Sequence, residues 1–251
     1  MNESANEANP PRRKRRWLRR LLLALMVIVL GVVGYGLWAW RQWSQPPEFW
    51  VNERIVITDD EQYAEVEARA AAFEKRLTAQ ATEIHEPGEK WEMKLTQREL
   101  NEWLATRLQD WEKNGTLAKD VKLPDELNNP MVAIEDDRFI FAAEVDYEGV
   151  QQVVSLEFVP ETQPDGSMKL KMDTLRGGRL ALPSGPVMDK MVKQYGSVDA
   201  ARAEAMAKVK QKMKEIELVI PVDKARHVRV VGVDFEGDQV VLTCETIQRK
   251  G

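Results

Sequence analysis

The sequence predicts an α+β protein: one N-terminal transmembrane helix, then an antiparallel sheet with three or four helices packed on one face. Three observations predict it. Residues 21–40, LLLALMVIVLGVVGYGLWAW, carry no charge and no proline. From Met131 apolar and polar residues alternate with period two between short turn sequences, the mark of half-buried strands. Elsewhere apolar residues recur at three and four, the mark of amphipathic helices.

A helix rises 1.5 Å per residue, so the apolar run spans roughly 30 Å, the thickness of bilayer hydrocarbon. Trp17 stands before it and Trp38, Trp40 and Trp43 at its far end, where amphipathic indoles favour the headgroup zones. Arg12, Arg13, Lys14, Arg15, Arg16, Arg19 and Arg20 precede the run, and Arg41 alone follows closely. The positive-inside rule places the N-terminus in the cytoplasm and the remainder outside, in the periplasm or at the exterior of a bacterial cell. A cleaved signal has an apolar stretch of about 7–15 residues and a small-residue cleavage site. The longer run here, ending in Leu-Trp-Ala-Trp-Arg, reads as an uncleaved anchor of the cell membrane. The chain divides into a basic tail (1–20), the membrane helix (21–40), a tether stiffened by Pro46-Pro47 (41–58) and an extracytoplasmic domain (59–251).

Residues 1–20 hold seven basic and two acidic side chains, net +5, which leaves −10 for the remainder of a chain whose total is −5. An acidic outer domain is a poor nucleic-acid binder, because phosphate contacts need clustered Lys and Arg. One cysteine, Cys244, allows no intrachain disulfide, so a hydrophobic core must hold the domain. Cys244 lies in a strand and reads as a buried inert thiol. His85 and His227 sit in no metal-ligand pattern, and neither a metal nor a cofactor is expected.

Asp59-Asp60 open a helix whose stripe is Tyr63, Val66, Ala70, Phe73 and Leu77, ended by Pro87-Gly88. Trp91, Met93 and Leu95 form a short strand. Thr96-Gln97-Arg98-Glu99 is a capping box that opens a helix with Leu100, Trp103, Leu104, Leu108 and Trp111 on one face. Strands follow at 131–134, 138–147, 150–159 and from Met168 towards Leu182, linked by Asp136-Asp137, Glu148-Gly149 and Pro164-Asp165-Gly166-Ser167. Pro186 opens one helix, a second runs from Ser197 to about Ile216, and a hairpin pairs 228–235 with 240–246.

Leu95-Thr96-x-x-Glu99-Leu100-Asn101, the meander, Asp165-Gly166 and Gly178-Arg179-Leu180-Ala181-Leu182-Pro183 occur in an order that resembles the YpmS-like family of single-pass bacterial membrane proteins. The order is also similar to tubular lipid-binding domains, in which a long helix lies along a strongly curved antiparallel sheet. The resemblance covers residues 91–195 and implies an apolar groove between helix and sheet. Met168, Leu170, Met172, Leu180, Leu182, Met188 and Met191 are the residues placed to line it, methionine being adaptable to irregular acyl chains.

No nucleophile elbow, phosphate-binding loop or calcium-loop spacing is present in the sequence, and no enzyme is expected. Arg176-Gly177-Gly178-Arg179 offers two arginines for a lipid head group, against a plainer reading as a sharp bend in a strand. The residues therefore lead first to a membrane-anchored module that binds a lipid or other amphiphile in envelope maintenance. The alternative is a non-catalytic scaffold that meets an envelope protein partner at the membrane surface.

Overall fold

A computed structural model describes residues 13–86, 88–113, 127–147, 150–183, 185, 215–222 and 226–248. The chain forms two compact units, residues 1–44 and 45–251. The first is helix α1 (Arg13–Ser44), which contains the apolar run, is long and apolar enough to cross a membrane, and leaves the large apolar side chains from Leu21 to Trp40 exposed.

The second unit holds helices α2 (Glu48–Glu53), α3 (Asp60–Thr82), α4 (Gln97–Thr106) and α5 (Leu108–Lys113). Its strands are β1 (Lys90–Thr96), β2 (Leu127–Glu135), β3 (Arg138–Tyr147), β4 (Val150–Thr162) and β5 (Met168–Gly177), followed by β6 (Leu180–Leu182), β7 (Glu215–Glu217), β8 (Val219–Pro221), β9 (Arg226–Glu236) and β10 (Gln239–Gln248). They build two antiparallel sheets rather than one. The smaller runs β1-β10-β9-β8; the larger runs β2-β3-β4-β5-β6, with β7 also on β5. The class is α+β, as the sequence predicts.

The sheets share one core. Met93, Val228, Val230, Val240, Leu242 and Cys244 from the smaller sheet meet Val132, Ile134, Phe139, Phe158, Met168 and Leu170 from the larger. The rings of Phe139 and Phe235 bridge the sheets at 5.2 Å. Burial of this kind is the main favourable term in folding.

Two devices join the sheets at their margins. On one side the stretch 215–221 passes from one sheet to the other: β7 pairs with β5, β8 pairs with β9, and between them Leu218 donates its N–H to Met168 O (3.3 Å) and accepts from Val230 N–H (2.9 Å). On the other side α4 lies along the free edge of β2. Asn101 Nδ2 donates to Val132 O (2.9 Å), Val132 N–H donates to Asn101 Oδ1 (2.7 Å) and Ile134 N–H donates to Gln97 Oε1 (2.6 Å). Gln97 and Asn101 are four apart, so one helix face presents both amides to the strand.

Most elements form for the reasons read in the sequence. The capping box is complete: Glu99 N–H donates to Thr96 Oγ1 (3.2 Å) and Thr96 N–H to Glu99 Oε2 (3.1 Å). Asp59 caps α3 by accepting from Gln62 N–H (2.8 Å), and Val66, Ala70 and Phe73 of the expected stripe are buried. The second helix breaks at Arg107 into α4 and α5, and Trp103 meets Trp111 edge-on at 5.1 Å.

Three expectations change. The strand expected to run on towards Leu182 turns back at Gly178-Arg179, so that Gly177 pairs with Leu180; Gly178 takes φ +56°, which glycine adopts without penalty. The segment read as a tether contains α2, whose Phe49 and Trp50 are buried. The helix expected to reach Ile216 cannot do so, because Glu215–Glu217 are strand β7. Ile216, Leu218, Ile220 and Val222 alternate with period two and are mostly β-branched, which favours strand over helix. The remainder of that helix, and the helix expected from Pro186, lie outside the described residues.

Candidate functional site

Alternation along β2–β5 gives the larger sheet two faces. One is the shared core. The other carries Met131, Ala133 and Glu135 on β2, Arg138, Ile140 and Ala142 on β3, Val153, Ser155 and Glu157 on β4, and Thr174 and Arg176 on β5, all in register. This outer face has an apolar half and a charged half.

On the apolar half Met131, Ala133, Ile140, Ala142 and Val153 form a second buried cluster with Phe49 and Trp50 of α2. Pro47, in extended conformation, precedes α2 and sets its entry. Arg54 lies over the Trp50 ring at 5.8 Å.

On the charged half Glu157, 4% exposed, is gripped from both sides. Arg138 Nη1 lies 3.0 Å from its Oε2, and Arg176 Nε donates to its Oε1. Arg138 also reaches Asp173 at 3.5 Å. From the β5–β6 turn Arg179 Nε donates to Pro46 O (3.0 Å), and its Nη1 lies 3.5 Å from Glu48. A cleft of about 350 Å³ opens here between Pro47, Phe49, Ile140 and these charged groups. Partial burial, together with the nearby carboxylates of Asp136, Glu157, Glu48 and Glu53, holds the Glu135 carboxyl above the usual glutamate range. Arg138 Nε and Ser155 Oγ are buried without a hydrogen-bond partner.

The arginines of the Arg-Gly-Gly-Arg stretch therefore face carboxylates. Arg138, Arg176 and Arg179 stand among Glu48, Glu135, Asp136, Glu157 and Asp173, so each arginine already has a carboxylate partner and the carboxylates are in excess. An arriving phosphate would have to displace a buried carboxylate, and the bend reading fits the Gly178-Arg179 turn.

The residues placed to line a groove separate into three groups. Met168 and Leu170 are 7% and 5% exposed, inside the packed core between the sheets. Met172 packs against that core and borders a second cleft of about 260 Å³ with Val159, Pro160 and Lys171. Leu180 and Leu182 are half-buried on the short strand β6. Met188 and Met191 lie outside the described residues. Cys244 is fully buried, and burial pushes its thiol up to about 11, which leaves it protonated and unreactive at neutral pH.

Trp38 and Trp40 are exposed near the C-terminal end of α1. The side chains of Trp17 and of the basic residues before Arg20 lie outside what the structure describes; Arg13, Lys14, Arg15, Arg16 and Arg19 all belong to the α1 backbone helix. Sequence reasoning missed the α2 contact. Its signal was present: two large aromatics, Phe49-Trp50, directly after Pro46-Pro47.

The class this defines is an α+β two-sheet domain in a chain with an N-terminal apolar helix. No protein-family model, no curated protein and no solved structure matches the chain.

Proposed function

We propose that the chain is a single-pass membrane protein with a cytoplasmic N-terminus, and that its extracytoplasmic domain is a non-catalytic scaffold that contacts another envelope protein. One observation supports this reading over an amphiphile carrier. Met168 and Leu170, two of the positions that would line an apolar groove, are packed among Phe158, Val230 and Val240. Interiors at native packing density leave no room for an acyl chain. The charged cluster supports the same reading, since its arginines are already paired with carboxylates.

The test is ligand recovery. Fragment 45–251, shown to be folded by circular dichroism, is purified from a bacterial host and examined by mass spectrometry and by fluorescent fatty-acid uptake. The scaffold reading expects no stoichiometric lipid and no uptake. About one lipid per chain would restore the carrier reading. Protease protection of a C-terminal tag in intact cells tests the topology; digestion from the cytoplasmic side would overturn it.

A further inference from the structure

We propose that residues 46–53 are a releasable clasp: α2 seats on the outer face of the larger sheet through Phe49, Trp50 and the Arg179 contacts, and acidification tightens the seat. The inference concerns this segment alone and holds whichever partner the domain meets.

A six-residue helix has too few hydrogen bonds to offset its own nucleation, so α2 exists only while seated. Neither of its ends runs directly into another helix. Pro47 is extended before it, Arg54 is extended after it, and no regular structure follows until Asp59 caps α3. The seat is apolar at one end, where Phe49 and Trp50 are 7% and 5% exposed. At the other end Pro47 is buried, and the polar contacts come from Arg179, which is 40% exposed and so competes with water for Pro46 O and Glu48.

Charge decides the pH dependence. Glu48 of α2 lines the same cleft as Glu135 of β2, Asp136 of the following turn and Glu157 of β4, and Glu53 adds its charge to the field at Glu135. The facing cations are committed: Arg138 of β3 to Glu157 and Asp173, Arg176 of β5 to Glu157, and Arg179 to Glu48, while Arg54 sits on Trp50. Glu144, further along β3, is bonded by Asn129. Like charges thus meet across the seam: burial, Asp136 and Glu157 raise the Glu135 carboxyl first, and Glu48 and Glu53 of the seated α2 add to the same direction. A carboxyl raised in this way stabilises the seated form below its unperturbed range, and that contribution disappears as pH rises through the raised value.

Amide hydrogen exchange of the full chain in nanodiscs, corrected for intrinsic rates, tests both parts. Peptides covering 48–53 should open more often at pH 7.5 than at pH 5. Arg179→Gln should raise their opening roughly three- to tenfold, the range of a part-exposed charged hydrogen bond, with β3 and β4 unchanged. Glu135→Gln should remove most of the pH difference. Should 48–53 open at the rate of β3 in the native protein and in Arg179→Gln, or should β3 lose protection together with it, the segment is a fixed part of the core and the clasp is overturned. Release by Arg179→Gln without any pH difference overturns the acid tightening. Phe49→Ser serves as a second variant: it must open 48–53 while β9 and β10 keep their protection.

Discussion

The carboxamide of Asn101 takes the place of another strand. Its oxygen and nitrogen pair with the N–H and C=O of Val132, and the Gln97 side-chain oxygen accepts from Ile134 N–H, so the β2 edge offers fewer free groups for an intruding strand. Asn101 is 2% exposed, so Asn101→Ala should leave two buried backbone groups unpaired and destabilise the domain by about 2–4 kcal/mol in urea unfolding. Leucine, of similar volume, should not restore the loss. Glu157→Ala takes that carboxylate from Arg176 and leaves Arg138 with Asp173, both arginines being about one-third exposed, and should cost about 2 kcal/mol after discounting for that exposure. At this scale the sequence is legible only in part. Asn101 was visible within a motif, yet nothing in one chain shows that it faces a strand some thirty residues away. The pairing of Arg176 with Glu157 was equally hidden, because an Arg-Gly-Gly-Arg stretch looks alike whether it meets a phosphate or a carboxylate.

Among elements, those with local causes were legible. The Thr96–Glu99 capping box, the Asp59 cap, the Asp136-Asp137 turn and the terminal hairpin each depend on residues a few positions apart. Thr96→Ala should cost about 1 kcal/mol by removing the cap of α4. The α3–α4 contact is set by a polar ladder that periodicity alone does not reveal. Arg69 lies 2.9 Å from buried Glu102, and Arg107 and Trp103 both bond Glu74. Burial pushes the Glu74 carboxyl up, but the bonds from Arg107 and Trp103 outweigh it and leave the group below the usual range. A lowered carboxyl adds stability above its unfolded value, about 4.3, and loses it as pH falls through the folded value. Arg107→Ala should therefore reduce the difference in urea midpoint between neutral and acidic solution. The elements misread were those decided by tertiary partners. Strand β7 exists because β5 has a free edge there, and α2 because an apolar half-face needs a cover.

For the whole molecule, α+β class and antiparallel pairing were legible from periodicity, whereas the division into two sheets was not. That division depends on β1, at residue 90, finding β10, at residue 245, a pairing no local pattern encodes. A chain lacking β10 should lose cooperative unfolding altogether, since β10 is the sole neighbour that joins β1 to β9 among the described strands. Calorimetry of the truncated fragment should show no transition.

The pairing of β1 with β10 also sets a timetable. The larger sheet is mostly a run of adjacent hairpins and can assemble as it emerges, but Met93 has no strand neighbour until Leu242 has been made. Contacts of such long separation form slowly. Throughout synthesis the inner face of the larger sheet lacks the strands β9 and β10 that complete the core, so the nascent domain is expected to need a holding chaperone until its final hairpin arrives.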